Sequence, residues 1–162
     1  MKTKISTKLL SELKRHALNA RRAVVSTSAR AGSVHIASAL SPIDILIVLY
    51  FDILNINPKN FKDPKRDRFI LSKGHGGLGL YCVLVERGFI SKKLLNKYGQ
   101  DGSILTVHPV LGSAPGIEAT TGSLGHGLGM GLGMALSQKR DKKPGRVFVL
   151  LSDAECDEGA TW

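Results

Sequence analysis

Residues 146–153 read RVFVLLSD. Val147, Phe148, Val149, Leu150 and Leu151 follow one another without a polar break, between the turn-forming Pro144 and Gly145 and an acidic cluster. A short apolar run with such boundaries reads as a buried strand. Asp153 then stands at the carboxyl end of that strand. A carboxylate so placed suits Mg²⁺, which is held by one or two carboxylates together with phosphate oxygens. It equally suits an N-cap or loop position ahead of a following helix, and spacing alone leaves the two open.

Working outward, TTGSLGHGLGMGLGMALSQKR (residues 120–140) reads as a glycine-rich helix. Gly125, Gly129 and Gly133 form one stripe, and Leu124, Leu128, Leu132 and Leu136 form the next. Each interior glycine costs up to about 1 kcal/mol relative to alanine. Close packing on a helix or sheet accounts for most of them. At the front, the backbone N–H groups of Thr121, Gly122, Ser123 and Leu124, with the positive end of the helix dipole, suit a phosphate. Further upstream, RFILS (residues 68–72) reads as a second short strand, ending at KGHGGLG (residues 73–79).

Helices fill most of the remainder. Ser6 or Thr7 caps a first helix with Leu9, Leu10, Leu13, Ala17 and Ala20 on one face, ending near Gly32. Ser41, Pro42 and Asp44 signal another start, with Ser41 as N-cap and Pro42 in the first helical position. IDILIVLYFDIL (residues 43–54) is apolar nearly all round, so burial on more than one side is expected. It is too short to span a bilayer and carries Asp44 and Asp52. Further helices are expected over residues 79–86 and after Ser91, and residues 99–116 read as irregular. Strands alternate with helices, which argues for a single α/β domain, a parallel sheet flanked by helices.

The chain has 162 residues, 43% hydrophobic and 22% charged, an ordinary globular composition. No secretory signal is read at the start, and no membrane span is expected. Cys82 and Cys156 lie far apart without metal-ligand spacing and read as reduced thiols of a cytoplasmic protein. The net charge is +10, but its residues are scattered over helix faces and loops with no interleaved aromatic platform. No nucleic-acid partner is therefore expected. His35, His75 and His108 sit in loops beside element ends, where α/β sheets place ligand sites. His16 reads as a surface residue and His126 is ambiguous.

Four stretches in this order resemble the N-terminal, thiamine-diphosphate-binding part of the transketolase family: SVHIASALSPIDILIVLYFDIL, RDRFILSKGHGGLGLYCVL, HPVLGSAPGIEATTGSLGHGLGMGLGMAL and LLSDAECDEG. Several spaced motifs in register are more specific than any one alone. The likeness runs from about Leu9 to Trp162. It is nearest to the separately encoded N-terminal sections, in which Gly-His-Gly replaces Gly-Gln-Gly.

The resemblance implies a thiamine-diphosphate-binding fold, incomplete at its C-terminus, and a set of roles. His75 would contact the cofactor diphosphate. Gly122, Ser123 and Leu124 would line the diphosphate and aminopyrimidine, with Ala154 beside them. Asp153 would ligate Mg²⁺ or another divalent cation. His35 and His108 would face the sugar, and Glu158 would lie towards a dimer interface. The implied reaction is transfer of a two-carbon ketol unit between sugar phosphates, as in the pentose phosphate pathway, by a homodimer or with a complementary C-terminal transketolase section. The chain alone is expected to be inactive and poorly soluble.

Ser152 and Ala154 stand where the family motif has glycines. Ala154 would be strained if that position needs a left-handed backbone. Val34 and Ala37 replace small residues around His35. Other readings are a deoxyxylulose-phosphate synthase, a sugar-modifying transketolase relative, a basic non-catalytic binding module and a degenerate remnant.

Overall fold

The computed structural model describes residues 6–32 and 35–162. Val34 therefore lies outside the described residues. Helix α1 (Thr7–Ala31) begins where Ser6 Oγ accepts the Leu9 N–H, and it ends at Gly32, whose φ of 62° is left-handed. Both ends follow the capping rules for such residues. Its buried face carries Leu13, Ala17, Ala20 and Val24.

Helix α2 (Ile36–Leu40) and helix α3 (Ile43–Val48) are separated only by Ser41 and Pro42, and a π-helical turn, Leu49–Ile53, continues α3. Ser41 does not cap α3. Its backbone is already helical as the end of α2, and its Oγ instead accepts from Lys73 Nζ at 2.8 Å. The segment is also not buried all round: Ile43, Leu46, Ile47 and Tyr50 are buried, but Ile45 is 50% exposed and Asp44 pairs outward with Arg21 at 2.6 Å. Residues 36–53 are apolar and long enough to pass as a membrane span by composition. Here they are broken by the Ser41-Pro42 turn and pack against α1 and α4.

Strand β1 (Arg68–Leu71) pairs in parallel with β2 (Val147–Leu150), Arg68 opposite Val147 and Leu71 opposite Leu150. Between them run a short 3₁₀ turn (Gly74–Gly76), α4 (Gly77–Arg87), α5 (Lys92–Leu95, capped by Ser91), an irregular stretch over residues 99–116 and α6 (His126–Arg140). Side chains alternate across the strands. Phe69, Leu71, Phe148 and Leu150 face the core built by α1, α3 and α4. Ile70, Val147 and Val149 face α6, where Gly131 sits against them. The result is the expected α/β layering around a parallel sheet.

Two expectations change on this side of the sheet. All four β2 residues are half-buried rather than buried. The packing glycines of α6 are Gly127 against Ser72 and Gly131 against Val149, while Gly129 and Gly133 face open space. Leu128, Leu132 and Leu136 are exposed. Helical periodicity defined the stripes correctly but did not say which one meets the sheet.

Charged groups fix the entry to both strands. Asp67 is buried just before β1 and accepts from the Arg146 N–H at 2.7 Å, Arg146 Nη2 at 2.6 Å and the Asn55 N–H at 2.9 Å. Glu118 is held between Arg66 at 2.5 Å and Arg68 at 2.9 Å. The RDR and PGIE sequences are thus two halves of one ion cluster.

Candidate functional site

The carboxyl ends of β1 and β2 open side by side, the place where parallel α/β sheets put their ligands. Past β1, the chain turns through Lys73 and the Gly74–Gly76 turn, which projects His75. A side chain at Gly74 would collide with the Thr121 carbonyl. The glycine therefore lets the His75 turn sit directly on the Thr121-Gly122 loop. A Cβ at Gly122 would stand 3.3 Å from the His108 ring. The two Gly-rich loops and the His-Pro loop converge because small residues allow their backbones to meet.

Three of the histidines singled out in the sequence come together. The ring centroids of His35 and His75 are 5.6 Å apart, those of His35 and His108 5.9 Å, and those of His75 and His108 6.2 Å. Burial lowers the His75 pKa below the usual imidazole range, and the nearby His35, His108 and Lys73 lower it further against the pull of Glu155. Burial, His35, His108 and Lys73 thus all disfavour the charged imidazolium. The irregular segment is pinned at His108, whose carbonyl accepts from Thr106 Oγ1 at 2.7 Å and Tyr81 Oη at 3.3 Å.

On the other side of His75 lies a cleft of about 370 Å³ lined by Ser38, Ser41, Lys73, Ser152, Asp153 and Ala154, among others. Asp153 is exposed at its edge and opens the 3₁₀ turn Ala154–Asp157. Among the described residues, no group of three or more His, Cys, Asp or Glu side chains is placed to hold a metal. One carboxylate beside room for a phosphate still matches Mg²⁺, which keeps several waters and is completed by phosphate oxygens. Ala154 does not carry the strain considered above. Lys142 is the one non-glycine residue with positive φ among the described residues.

Glu155 was missed in the sequence, although its side chain is 0% exposed. Its Oε1 accepts from Ser72 Oγ at 2.5 Å and the Gly125 N–H at 3.0 Å, and its Oε2 accepts from the Ser152 N–H at 2.8 Å. Ser72 Oγ in turn accepts the Gly127 N–H at 3.1 Å. Burial alone would raise the carboxyl pKa, but the hydrogen bonds from Ser72, Ser152 and Gly125 hold it below its ordinary value. The front of α6 is thus engaged by the chain's own carboxylate. The expected phosphate site lay earlier, at Thr121 to Leu124; the Thr121 N–H is taken by the Pro109 carbonyl, and Glu155 engages none of these four N–H groups. Gly122, Ser123 and Leu124 precede the helix rather than open it. The acidic cluster in the sequence held the signal, but spacing could not say which of its carboxylates turns inward.

Other side chains lie apart from the cleft. Glu158 is exposed, with its Cβ near Gly125. His126 is exposed and contacts the Leu124 carbonyl. His16 is not a free surface residue: it stacks on Phe51 at 4.2 Å and pairs with Glu86 at 2.8 Å. Cys82 is buried, Cys156 is exposed, and both thiols are free.

A two-stranded parallel core with histidines, glycine loops and one carboxylate at its carboxyl edge defines an α/β domain suited to a phosphate-bearing cofactor. The transketolase, thiamine diphosphate binding domain family matches residues 13–161, and the chain belongs to it. The chain is 40% identical over 151 residues to one of the subunits of the apulose-4-phosphate transketolase of Actinobacillus succinogenes, covering 93% of this chain and 54% of that protein. It is 37% identical over 131 residues to the 6-deoxy-6-sulfo-D-fructose transketolase subunit SqwG of a Clostridium species, covering 81% of this chain and 48% of that protein. The fold superposes on transketolase from Campylobacter jejuni with a TM-score of 0.84 and 29% identity, covering 92% of this chain and 24% of that chain. The chain therefore spans about half the length of the curated relatives it matches.

Proposed function

We propose that this chain carries the diphosphate and metal half of a transketolase-type site, which moves a two-carbon ketol unit between sugar phosphates. The observation that carries this reading is the position of His75. It lies between the cleft holding Asp153 and the cluster holding His35, His108 and Gly122. A diphosphate on one side and a reacting sugar on the other would share that histidine.

Thiamine diphosphate supplies the electron sink for the bond cleavage when it is bound. The rest falls to the protein. His75 offers a ring N–H to a phosphate oxygen. Asp153 offers a carboxylate oxygen to Mg²⁺ or another divalent cation, and Gly122, Ser123 and Leu124 line the cofactor backbone. Ala154 borders the same cleft. His35 and His108, in the same ring cluster, orient the sugar hydroxyls and exchange protons with them. Glu158, outside the cleft, is free to meet a second chain.

Within this class the reading leans to a sugar-modifying transketolase built from separate sections. Two relatives matched over most of this chain are named as subunits, of apulose-4-phosphate and 6-deoxy-6-sulfo-D-fructose transketolases. A complementary C-terminal section would then complete the site, and the isolated 162-residue chain would show no ketol transfer.

Calorimetric titration of the complete protein with thiamine diphosphate tests the reading. Saturable binding that strengthens with Mg²⁺ and weakens on Asp153→Ala is expected. Absence of binding in the complete, folded protein would overturn it. Ketose donors and aldose acceptors, including sulfonated and branched sugars, then sort the substrate class.

A further inference from the structure

The cleft beside His75 has a charge imbalance. A diphosphate ester brings more negative charge than one divalent cation neutralises, once Asp153 has also ligated that cation. Burial disfavours a charged His75, as do the neighbouring His35, His108 and Lys73. Lys73 is the one cationic side chain among the residues lining the cleft. It leaves β1 two residues beyond Leu71, so the parallel pairing brings it to the same sheet end as Asp153. Its Nζ donates to Ser41 Oγ at 2.8 Å, on the opposite wall of the cleft. Its stem lies along the His75 turn, with Cε 3.3 Å from where a Cβ on Gly76 would stand. Burial lowers the ammonium pKa, and the charges of Asp153 and Glu155 oppose that shift. Both carboxylates therefore lie within its field, yet neither is its hydrogen-bond partner among the described residues. A neutral hydroxyl takes that place.

We propose that Lys73 is a second diphosphate-binding residue, which turns from Ser41 to a terminal phosphate oxygen when thiamine diphosphate enters. The assignment rests on the function proposed above. A lysine ammonium is a compact point charge on a flexible stem, so it can leave Ser41 and reach a phosphate oxygen. Exchanging a hydroxyl partner for an anionic oxygen strengthens the hydrogen bond.

Calorimetry on the complete protein with Mg²⁺ compares thiamine diphosphate with thiamine monophosphate, which lacks the terminal phosphate. Lys73→Gln is expected to weaken diphosphate binding by about 10- to 100-fold, the size of one charge-assisted hydrogen bond. It should change monophosphate binding by less than about threefold, and Lys73→Arg should retain most of the diphosphate affinity. Equal losses for both ligands, or none, would overturn the role of Lys73 while wild-type binding leaves the broader reading intact. No wild-type binding would overturn both. An independent check needs no variant: Mg²⁺ with inorganic pyrophosphate should protect Lys73 of the wild-type protein from an amine-acylating reagent, read by mass spectrometry. Unchanged labelling of Lys73 would overturn the proposal.

Discussion

The sheet has two unlike sides. On one, α1, α3 and α4 bury Val24, Ile43, Leu46, Tyr81 and Leu84 in a continuous core that also takes in Phe69 and Leu71. On the other, α6 buries only Gly127, Gly131 and Gln138, and Leu132 on its outer face is 60% exposed. Packing secures the first side, and a few polar bonds and close glycines secure the second. The candidate site lies on the seam. His75 follows the well-packed strand, whereas Asp153 follows the half-buried one. Their relative placement therefore depends on whatever ties the second side to the first.

The largest effect expected from breaking that tie is at Glu155. Glu155→Ala strips the acceptor from Ser72, Gly125 and Ser152 in a fully buried position. Hydrogen bonds to a charged group are worth about 1.5–3 kcal/mol each, so a loss of about 3 kcal/mol or more is expected in denaturant unfolding. Hydrogen exchange should quicken first at the Gly125 and Ser152 amides. An unchanged unfolding midpoint would show that packing holds α6 and would remove the contrast between the two sides.

A smaller effect separates the two faces of α6 itself. Gly131→Ala drives a methyl into Val149 and is expected to cost about 1–3 kcal/mol. Gly133→Ala meets nothing and should gain up to about 1 kcal/mol in helix propensity. Thermal unfolding of the two variants should move in opposite directions. A loss at both positions would mean that the outer face is also packed.

The mildest probe is pH. Burial would raise the Asp67 pKa, but the Arg146 side chain and the Asn55 and Arg146 N–H groups hold it below its ordinary value. A depressed carboxyl pKa means that the unfolded chain binds the proton more readily. The stabilisation from Asp67 is therefore full above the usual carboxylate range, and it is lost as pH falls through that range towards the lowered value. Asp67→Asn should flatten this acid limb of stability, and a limb of unchanged slope would assign it to other carboxylates.

Much of this arrangement was legible in the sequence because its signals are local. The Ser6 cap, the Gly32 stop, both short strands and the site loops around His35, His75 and His108 all follow from near-neighbour chemistry. What escaped depends on contacts across the chain. Ser41 looked like an N-cap, but its hydroxyl serves Lys73, which is 32 residues away. The glycine stripes of α6 were visible, but only β2 decides that Gly131 rather than Gly133 faces inward. Glu155 was one carboxylate among several until its 83-residue separation from Ser72 closed.

The parallel pairing of β1 with β2 also shapes how this chain folds as it is made. Asp67 and Arg146 are 79 residues apart, and closing so long a loop costs entropy before any contact repays it. At about 5–20 residues per second, synthesis leaves β1 without its strand partner for roughly 4–16 seconds. Meanwhile α1, α3 and α4 can already cover its inner face. An open strand edge is a template for pairing with another chain. Arg66, Asp67 and Arg68 place three charges at the entrance to that edge, the kind of flanking residues that discourage such pairing until Val147 arrives.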